Sequence, residues 1–117
     1  MRPFRDLVVW QKSRAVLLRL DPIVNRIEPH NARLADQLRR AAESIPECIA
    51  EGCGRATDKD FAHYVSMASG SASEVENLIQ RAFDLRLISD AEFASLTADI
   101  VEIRKMLYGL YKRLRGN

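Results

Sequence analysis

Cysteine and histidine, from which metal sites and redox centres are most often built, are scarce in this sequence. It contains two of each among 117 residues. Cys48 and Cys53 are five positions apart, which matches neither a zinc ligand spacing nor a Cys-x-x-Cys redox motif. Asp60 and His63 form one carboxylate–imidazole pair at helical spacing, whereas a di-metal helical bundle needs two Glu-x-x-His units and further carboxylates. We therefore expect a reduced protein with no metal and no cofactor.

Long apolar runs are absent as well. No stretch approaches the roughly 20 apolar residues that a membrane-spanning helix requires. Residues 1–6 lead directly into an amphipathic segment and lack the apolar core of a signal peptide. We therefore expect a cytoplasmic protein that makes no membrane contact.

The sequence also lacks a recognisable catalytic set. Ser69, Ser71 and Ser73 have no neighbouring base that would activate a nucleophile. The turn Gly52–Arg55 is too short for a phosphate-binding glycine loop, and it follows a helical pattern, whereas such a loop follows a strand. We therefore expect no enzymatic activity.

Helical periodicity is what the sequence does have. Apolar residues make up 47% of it, which fits a globular protein, and no segment shows sustained alternation of apolar and polar residues. Four amphipathic segments are separated by three short breaks, and short breaks place consecutive helices side by side in opposite directions. We therefore predict one domain, residues 1–117, of the all-α class: an antiparallel up-down-up-down four-helix bundle.

The first predicted helix starts near Asp6, a suitable N-cap residue. Its apolar positions are Leu7, Val8, Trp10, Ala15, Leu17 and Leu18. Pro22 has no backbone N–H to donate, and it disfavours helical geometry in the residue before it. We expect the helix to end or kink near residues 20–21, with a short helical tail over Ile23–Ile27 before Pro29.

The second predicted helix begins after Asn31, a good N-cap residue, and its apolar residues recur every three or four positions. These apolar residues are Leu34, Leu38, Ala41, Ile45 and Ile49. Pro46 lies inside the pattern, so the segment is either one kinked helix or two helices that break at Ser44. We expect Gly52 to cap the helix and Gly54 to reinforce the turn that follows.

Capping signals mark the starts of the third and fourth predicted helices. Thr57 precedes the third helix, and Ser89 with Glu92 forms a capping box for the fourth. The two apolar seams are Phe61, Val65, Ala68, Ala72, Val75, Ile79 and Ala82, then Phe93, Leu96, Ile100, Ile103, Leu107, Leu110 and Leu114. Gly70 lies in a patch of small residues inside the third helix, where glycine costs about 1 kcal/mol relative to alanine. We therefore expect another backbone to approach closely at this patch, residues 69–73.

The bundle topology concentrates positive charge at one end, although the net charge is only +2. The start of helix 1, the turn between helices 2 and 3, and the end of helix 4 share that end. The basic residues there, which we call the basic pole, are Arg2, Arg5, Arg55, Lys112, Arg113 and Arg115. Arg104 and Lys105 extend the basic stretch of helix 4, whereas residues 58–84 are more acidic. A basic patch attracts phosphates; alternatively, these cations only favour the helix 4 dipole and solubility.

Four sequence motifs and Phe61 resemble those of a known family. The motifs are LVVWQK at 7–12, QLRRAAESIP at 37–46, IAEGCGR at 49–55 and GSASE at 70–74. In this order they resemble the bacterial four-helix bundle family named for the proteins encoded in 23S ribosomal RNA intervening sequences. The resemblance covers nearly the whole chain.

This resemblance implies a cytoplasmic bundle that assembles as a ring-like homopentamer and has no established enzymatic activity. Relatives that serve as accessory proteins of diversity-generating retroelements bind nucleic acid and a reverse transcriptase through basic surfaces. Arg55 matches a family motif position. The other matching positions, to which we assign an interface or structural role, are Arg39, Arg40, Glu51, Gly52, Gly54, Gly70 and Glu74.

Two functional hypotheses follow. In the first, a non-enzymatic homo-oligomer associates with RNA or DNA through its basic pole. In the second, an oligomeric scaffold docks a protein partner without binding nucleic acid, and the turn at 52–55 or the acidic span at 58–84 matters more than the basic pole.

Overall fold

The computed structural model of this protein describes residues 3–116. Within them the chain forms a short 3-10 helix, Phe4–Asp6, and four α-helices, and it contains no strand. The helices are α1 (Val8–Ile27), α2 (Ala32–Cys53), α3 (Asp58–Asp84) and α4 (Asp90–Leu114). None of these described helices is both long enough and apolar enough to cross a bilayer. The predicted all-α class is confirmed.

Contacts between the helices show that neighbours run in opposite directions. Three ion pairs join α1 to α4 in reversed order: Lys12–Glu102, Arg19–Asp99 and Arg26–Glu92. The same reversal relates α3 to α4, where Phe83 stacks on Phe93 and Arg104 binds Glu76. Each helix contacts the next, α4 closes the ring on α1, and the bundle measures 44 × 20 × 20 Å. The helices therefore form the predicted antiparallel up-down-up-down bundle.

The core confirms the predicted apolar faces of α2, α3 and α4 but not that of α1. Val8 and Leu18, which were expected to face the core, are 53% and 51% exposed, and Ala15 is exposed as well. The buried residues of α1 are instead Val9, Ser13, Val16, Leu20, Ile23, Val24 and Ile27. These positions repeat every three or four residues, except that Ile23 and the adjacent Val24 are both buried, whereas the predicted set mixed two faces of the helix.

Helix starts follow the capping signals in three helices out of four. The side-chain oxygens of Asn31, Thr57 and Ser89 each accept a hydrogen bond from the backbone N–H three residues later, at 3.0–3.1 Å. The predicted cap at Asp6 is wrong. That residue belongs to the 3-10 helix, and Leu7 occupies the N-cap position of α1 without a side-chain bond. An apolar N-cap leaves the first N–H groups to water or to backbone partners.

Neither internal proline ends its helix. α1 continues through Pro22 to Ile27, so the predicted end near residues 20–21 is wrong. A proline at position 22 removes the bond to the carbonyl of Leu18, and both residues are exposed, so water can take the place of the missing donor. α2 runs unbroken through the buried Pro46, which confirms the one-helix interpretation over a break at Ser44.

Candidate nucleic-acid interface

The start of α1 and the end of α4 lie side by side at one end of the bundle. Residues 6–9 and the α4 residues from Glu102 to Arg113 line a groove of about 480 Å³ between the two helices. The 3-10 helix that carries Arg5 also contacts α2. The structure thus brings Arg5 and Arg113 to the same end, as predicted from the topology. Arg2, also predicted there, lies outside the described residues.

Four cations of the basic pole have no acidic partner among the described residues. Arg5, Lys112, Arg113 and Arg115 are exposed, and none lies within 4.0 Å of a carboxylate oxygen in residues 3–116. The Arg5 guanidinium lies 4.6 Å from the centre of its neighbour Phe4, and the Lys112 ammonium lies 5.3 Å from the centre of the Tyr108 ring. The cations that do form ion pairs are Lys12, Arg19, Arg26, Arg39, Arg40, Arg55 and Arg104.

Arg55 is held more firmly than the other members of the basic pole. Its guanidinium donates to the Tyr64 hydroxyl and lies 4.9 Å from the centre of that ring. Glu51 is 3.9 Å away, one turn back in α2. The hydrogen bond to Tyr64 is the main cause that raises the pKa of Arg55 above its ordinary value, and Glu51 adds to it. Arg55 therefore stabilises the α2–α3 turn, and its charge is partly offset.

Gly52 has a different role from the predicted one. α2 continues to Cys53, and the C-cap is Gly54, which has a φ of −85° and so does not need glycine for its backbone conformation. Gly52 is buried inside the last turn, where a Cβ atom would lie 2.8 Å from both Phe61 Cδ1 and Tyr64 Cβ. It is glycine because α3 packs directly on it, and the predicted cap at Gly52 is wrong.

Gly70 is likewise not where two helices meet. The close packing of this segment comes from the fully buried Ala68 and Ala72, and from Ser71 Oγ, which donates to Ser44 Oγ of α2 at 2.8 Å. Gly70 is exposed, and a Cβ placed on it meets no atom within 4 Å among the described residues. Another helix of the chain therefore does approach the small-residue patch, at Ser71 and Ala72, but not at Gly70 itself.

The remaining motif residues lie along the sides of the bundle. Arg39 reaches Glu28, just beyond the end of α1, at 3.4 Å, and so connects α2 to α1. Arg40 bonds Asp36 within α2 at 3.0 Å. Glu74 is exposed on α3. Arg104, which extends the basic stretch of helix 4 in the sequence, bonds Glu76 of α3 at 2.9 Å and joins the two helices.

The part of the chain from 3 to 116 contains no group of three or more His, Cys, Asp or Glu residues placed to hold a metal ion. His63 is exposed, and its ring packs against the edge of Tyr64 at a centroid distance of 5.7 Å. Asp60 and His63 thus have no third ligand in this range. Cys48 is half-buried with its sulfur 3.6 Å from Ser44 Oγ.

Sequence reasoning overlooked Tyr108 as a surface residue. The residue is 63% exposed, and it is the one exposed residue among the phenylalanines, tyrosines and tryptophan of the described range. With Lys105 and Arg104 it lines a groove of about 390 Å³ against Ser69 and Ser73 of α3. Tyr108 follows Lys105 by three residues and precedes Lys112 by four, so the three share one face of α4. This spacing could have indicated an aromatic residue among exposed cations, but a search for cations alone does not find it.

Known proteins are similar to this chain over most of its length. The model of the family described as 23S rRNA-intervening sequence protein matches residues 5–109. A crystal structure of a protein of unknown function from the S23 ribosomal protein family of Bacteroides thetaiotaomicron has a TM-score of 0.84 and 23% sequence identity. That similarity covers 90% of this chain and 99% of the other, and at this identity it shows a shared fold. No curated protein matches the chain significantly.

Proposed function

This chain belongs to the 23S rRNA-intervening sequence protein family, and we propose that it is a non-enzymatic, cytoplasmic bundle protein that associates with RNA through its basic pole. The observation that carries this proposal is the group of four exposed cations without acidic partners at one end of the bundle: Arg5, Lys112, Arg113 and Arg115. Ion pairs offset seven other cations of the described residues, whereas these four lie at one end of the bundle without such a partner.

Phosphate groups are the natural partners of such a surface. Each lysine or arginine that neutralises a phosphate releases condensed counterions, so affinity falls as salt rises. Three neutralised phosphates give a slope of log K against log salt of roughly −2 on a single strand. Binding through this surface should therefore be weak in base preference and strongly dependent on ionic strength.

The test is filter binding of a structured RNA across a salt series. We expect the triple variant Lys112→Ala, Arg113→Ala and Arg115→Ala to bind more weakly and to reduce the salt slope by roughly 2. The matched control is Arg14→Ala, Arg33→Ala and Arg81→Ala, which removes three exposed cations that form no ion pair in the described structure and lie outside the pole. No binding at low salt, or an equal loss in both triple variants, would overturn the proposal.

The second candidate is an oligomeric scaffold for a protein partner, and the outward face of α1 favours it. Val8, Ala15, Leu18 and Pro22 are all exposed and lie within about 80° of one another around the helix axis. Exposed apolar surface of this kind is commonly buried by association. Self-association through this face is compatible with RNA binding at the end of the bundle, and the family resemblance sets our expectation of five subunits.

A further inference from the structure

The outer face of α4 carries an aromatic ring between cations. Lys105, Tyr108, Lys112 and Arg115 follow one another at spacings of three, four and three residues. At 3.6 residues per turn these positions lie within about 80° of one another, so they form one continuous stripe. All four side chains are exposed, and the lysine nearest the C-terminus lies over the Tyr108 ring.

The aromatic rings outside this stripe are at least partly buried, and several pack against other rings. Phe4 packs on Trp10 at a centroid distance of 5.0 Å, and Phe83 stacks on Phe93 at 4.2 Å. Tyr108 differs from them in having most of its surface in water. An exposed aromatic ring can gain free energy by stacking on a planar ligand, and the surrounding cations set the charge that this ligand must carry.

The α3 side of the ring leaves room for such a ligand. Ser69 and Ser73 form the opposite wall of the groove, and both side chains are small. The groove volume of about 390 Å³ exceeds what a water molecule needs and falls in the range of small-ligand sites. Lys105 and Lys112 are about 10 Å apart along the helix axis, so the two ammonium groups lie on either side of a base that stacks on Tyr108.

We propose that Tyr108 is a stacking platform for an unpaired RNA base, with Lys105 and Lys112 holding the flanking phosphates. This inference rests on the proposed RNA association and names the class of RNA that the surface prefers. Inside a duplex both faces of a base are covered by its neighbours, so away from the duplex ends the ring can stack only on a base in a single strand, loop or bulge. Because every base has a flat face, the preference is for unpaired structure and not for one base.

The experiment measures fluorescence anisotropy of two RNA probes at low salt: a 12-nucleotide strand without self-complementarity and a blunt duplex of the same sequence. We expect Tyr108→Leu to weaken binding of the single strand about 5- to 100-fold, which is the range for loss of one stacked base. Binding of the duplex should change less than twofold. Tyr108→Phe keeps the ring and should bind the single strand within about twofold of the parent chain.

Two controls separate stacking from folding and from charge. Leu85→Ala removes another exposed apolar side chain, in the turn after α3, and should leave both affinities unchanged. If Tyr108→Leu binds the single strand normally while the Lys112, Arg113 and Arg115 triple variant does not, the stacking role is overturned and RNA association stands. An equal loss of strand and duplex binding in Tyr108→Leu also overturns stacking. If the parent chain binds neither probe, both proposals fail.

Discussion

Two glycines in helical segments of neighbouring helices stand in opposite surroundings. Gly52 lies under α3, where a Cβ atom would overlap Phe61 and the Tyr64 Cβ atom at 2.8 Å. Tyr64 Cβ is attached directly to the α3 backbone, so a side chain at 52 can be accommodated only if the helices move apart. Gly70 faces open space on α3. Glycine inside a helix carries the same entropic cost at both positions, but only at 52 does packing require it.

Alanine at these two positions therefore isolates the cost of the overlap. Both variants gain the same helix propensity, about 1 kcal/mol. We expect Gly70→Ala to raise the free energy of unfolding by about 0.5–1 kcal/mol. The free energy of unfolding of Gly52→Ala should be lower than that of Gly70→Ala by about 1–3 kcal/mol, the usual cost of overpacking. Urea unfolding followed by circular dichroism measures both, and equal stabilities would contradict the packing role of Gly52.

Gly70→Leu extends the same reasoning to assembly. Within one chain a leucine at 70 has space, so no loss of monomer stability is expected from overlap. A change in oligomer size on Gly70→Leu would place this residue at a contact between subunits.

Among the secondary-structure elements, the contact between α1 and α4 is the least extensive of the four helix pairs, and three ion pairs cross it. Lys12 donates a hydrogen bond to Glu102 near one end of the α1–α4 contact. This hydrogen bond is the main cause that raises the pKa of Lys12 above its ordinary value. Arg26 bonds Glu92 at 2.8 Å near the other end. Glu92 also accepts the backbone N–H of Ser89, so one carboxylate both caps α4 and ties it to α1.

Because both interactions of Glu92 involve its carboxylate, the contribution of Glu92 to folding stability depends on pH. The hydrogen bond from Arg26, then that from the Ser89 N–H, lowers the pKa of Glu92 below its ordinary value. A lowered folded-state pKa stabilises the protein above the unfolded pKa, about 4.3, and this contribution is lost as the pH falls through the folded pKa. We expect Glu92→Gln to cost roughly 0.5–1 kcal/mol at pH 7 and almost nothing at pH 2.5, as measured by urea unfolding.

Glu43→Gln is the control for this pH dependence, because Glu43 is exposed and forms no ion pair in residues 3–116. It should match the parent chain within about 0.5 kcal/mol at both pH values. If the cost of Glu92→Gln persisted at pH 2.5, the shape of the side chain and not its charge would be responsible.

Local sequence signals predicted where a helix starts when the side chain of one residue could cap it. The side chains of Asn31, Thr57 and Ser89 cap their helices because each has an acceptor in reach of the N–H three residues on. The end of α3 could not be predicted in this way. Arg86 takes a left-handed conformation with φ of 60°, and the Leu87 N–H bonds the Ala82 carbonyl. Glycine usually occupies such a position, so no local signal marked this turn.

The predictions that failed in the candidate site depended on how the helices pack against one another, which local sequence signals do not show. The exception is Gly70, since helical periodicity already places it two positions from the buried Ala68 and Ala72 and so on the outward side of α3. Exposure of Tyr108 depends on packing. Arg104 and Arg113 are both arginines of helix 4, yet only the first has an acidic partner among the described residues. Clustering of charge follows from topology, whereas pairing of charge depends on side-chain geometry.

At the scale of the whole molecule, the bundle has two surfaces that its own core does not use. The end of the bundle is basic, and the outward face of α1 is apolar. Leu18 on this face is 51% exposed, whereas Leu78 of α3 is buried within the chain. The apolar surface left for a partner therefore includes the outward face of α1, away from the cations that we assign to RNA.

Self-association through α1 gives the last prediction. Light scattering after size exclusion should show a particle several times the 13.3 kDa of one chain. Val8→Gln with Leu18→Gln should shift the particle toward one chain, because polar side chains remove the apolar area that association would bury. Each change is on the surface, so the monomer should lose no more than about 0.5 kcal/mol per site. Leu85→Gln, an exposed leucine outside α1, should leave the particle size unchanged. A parent chain that elutes as a 13.3 kDa particle at every concentration would exclude association through this face.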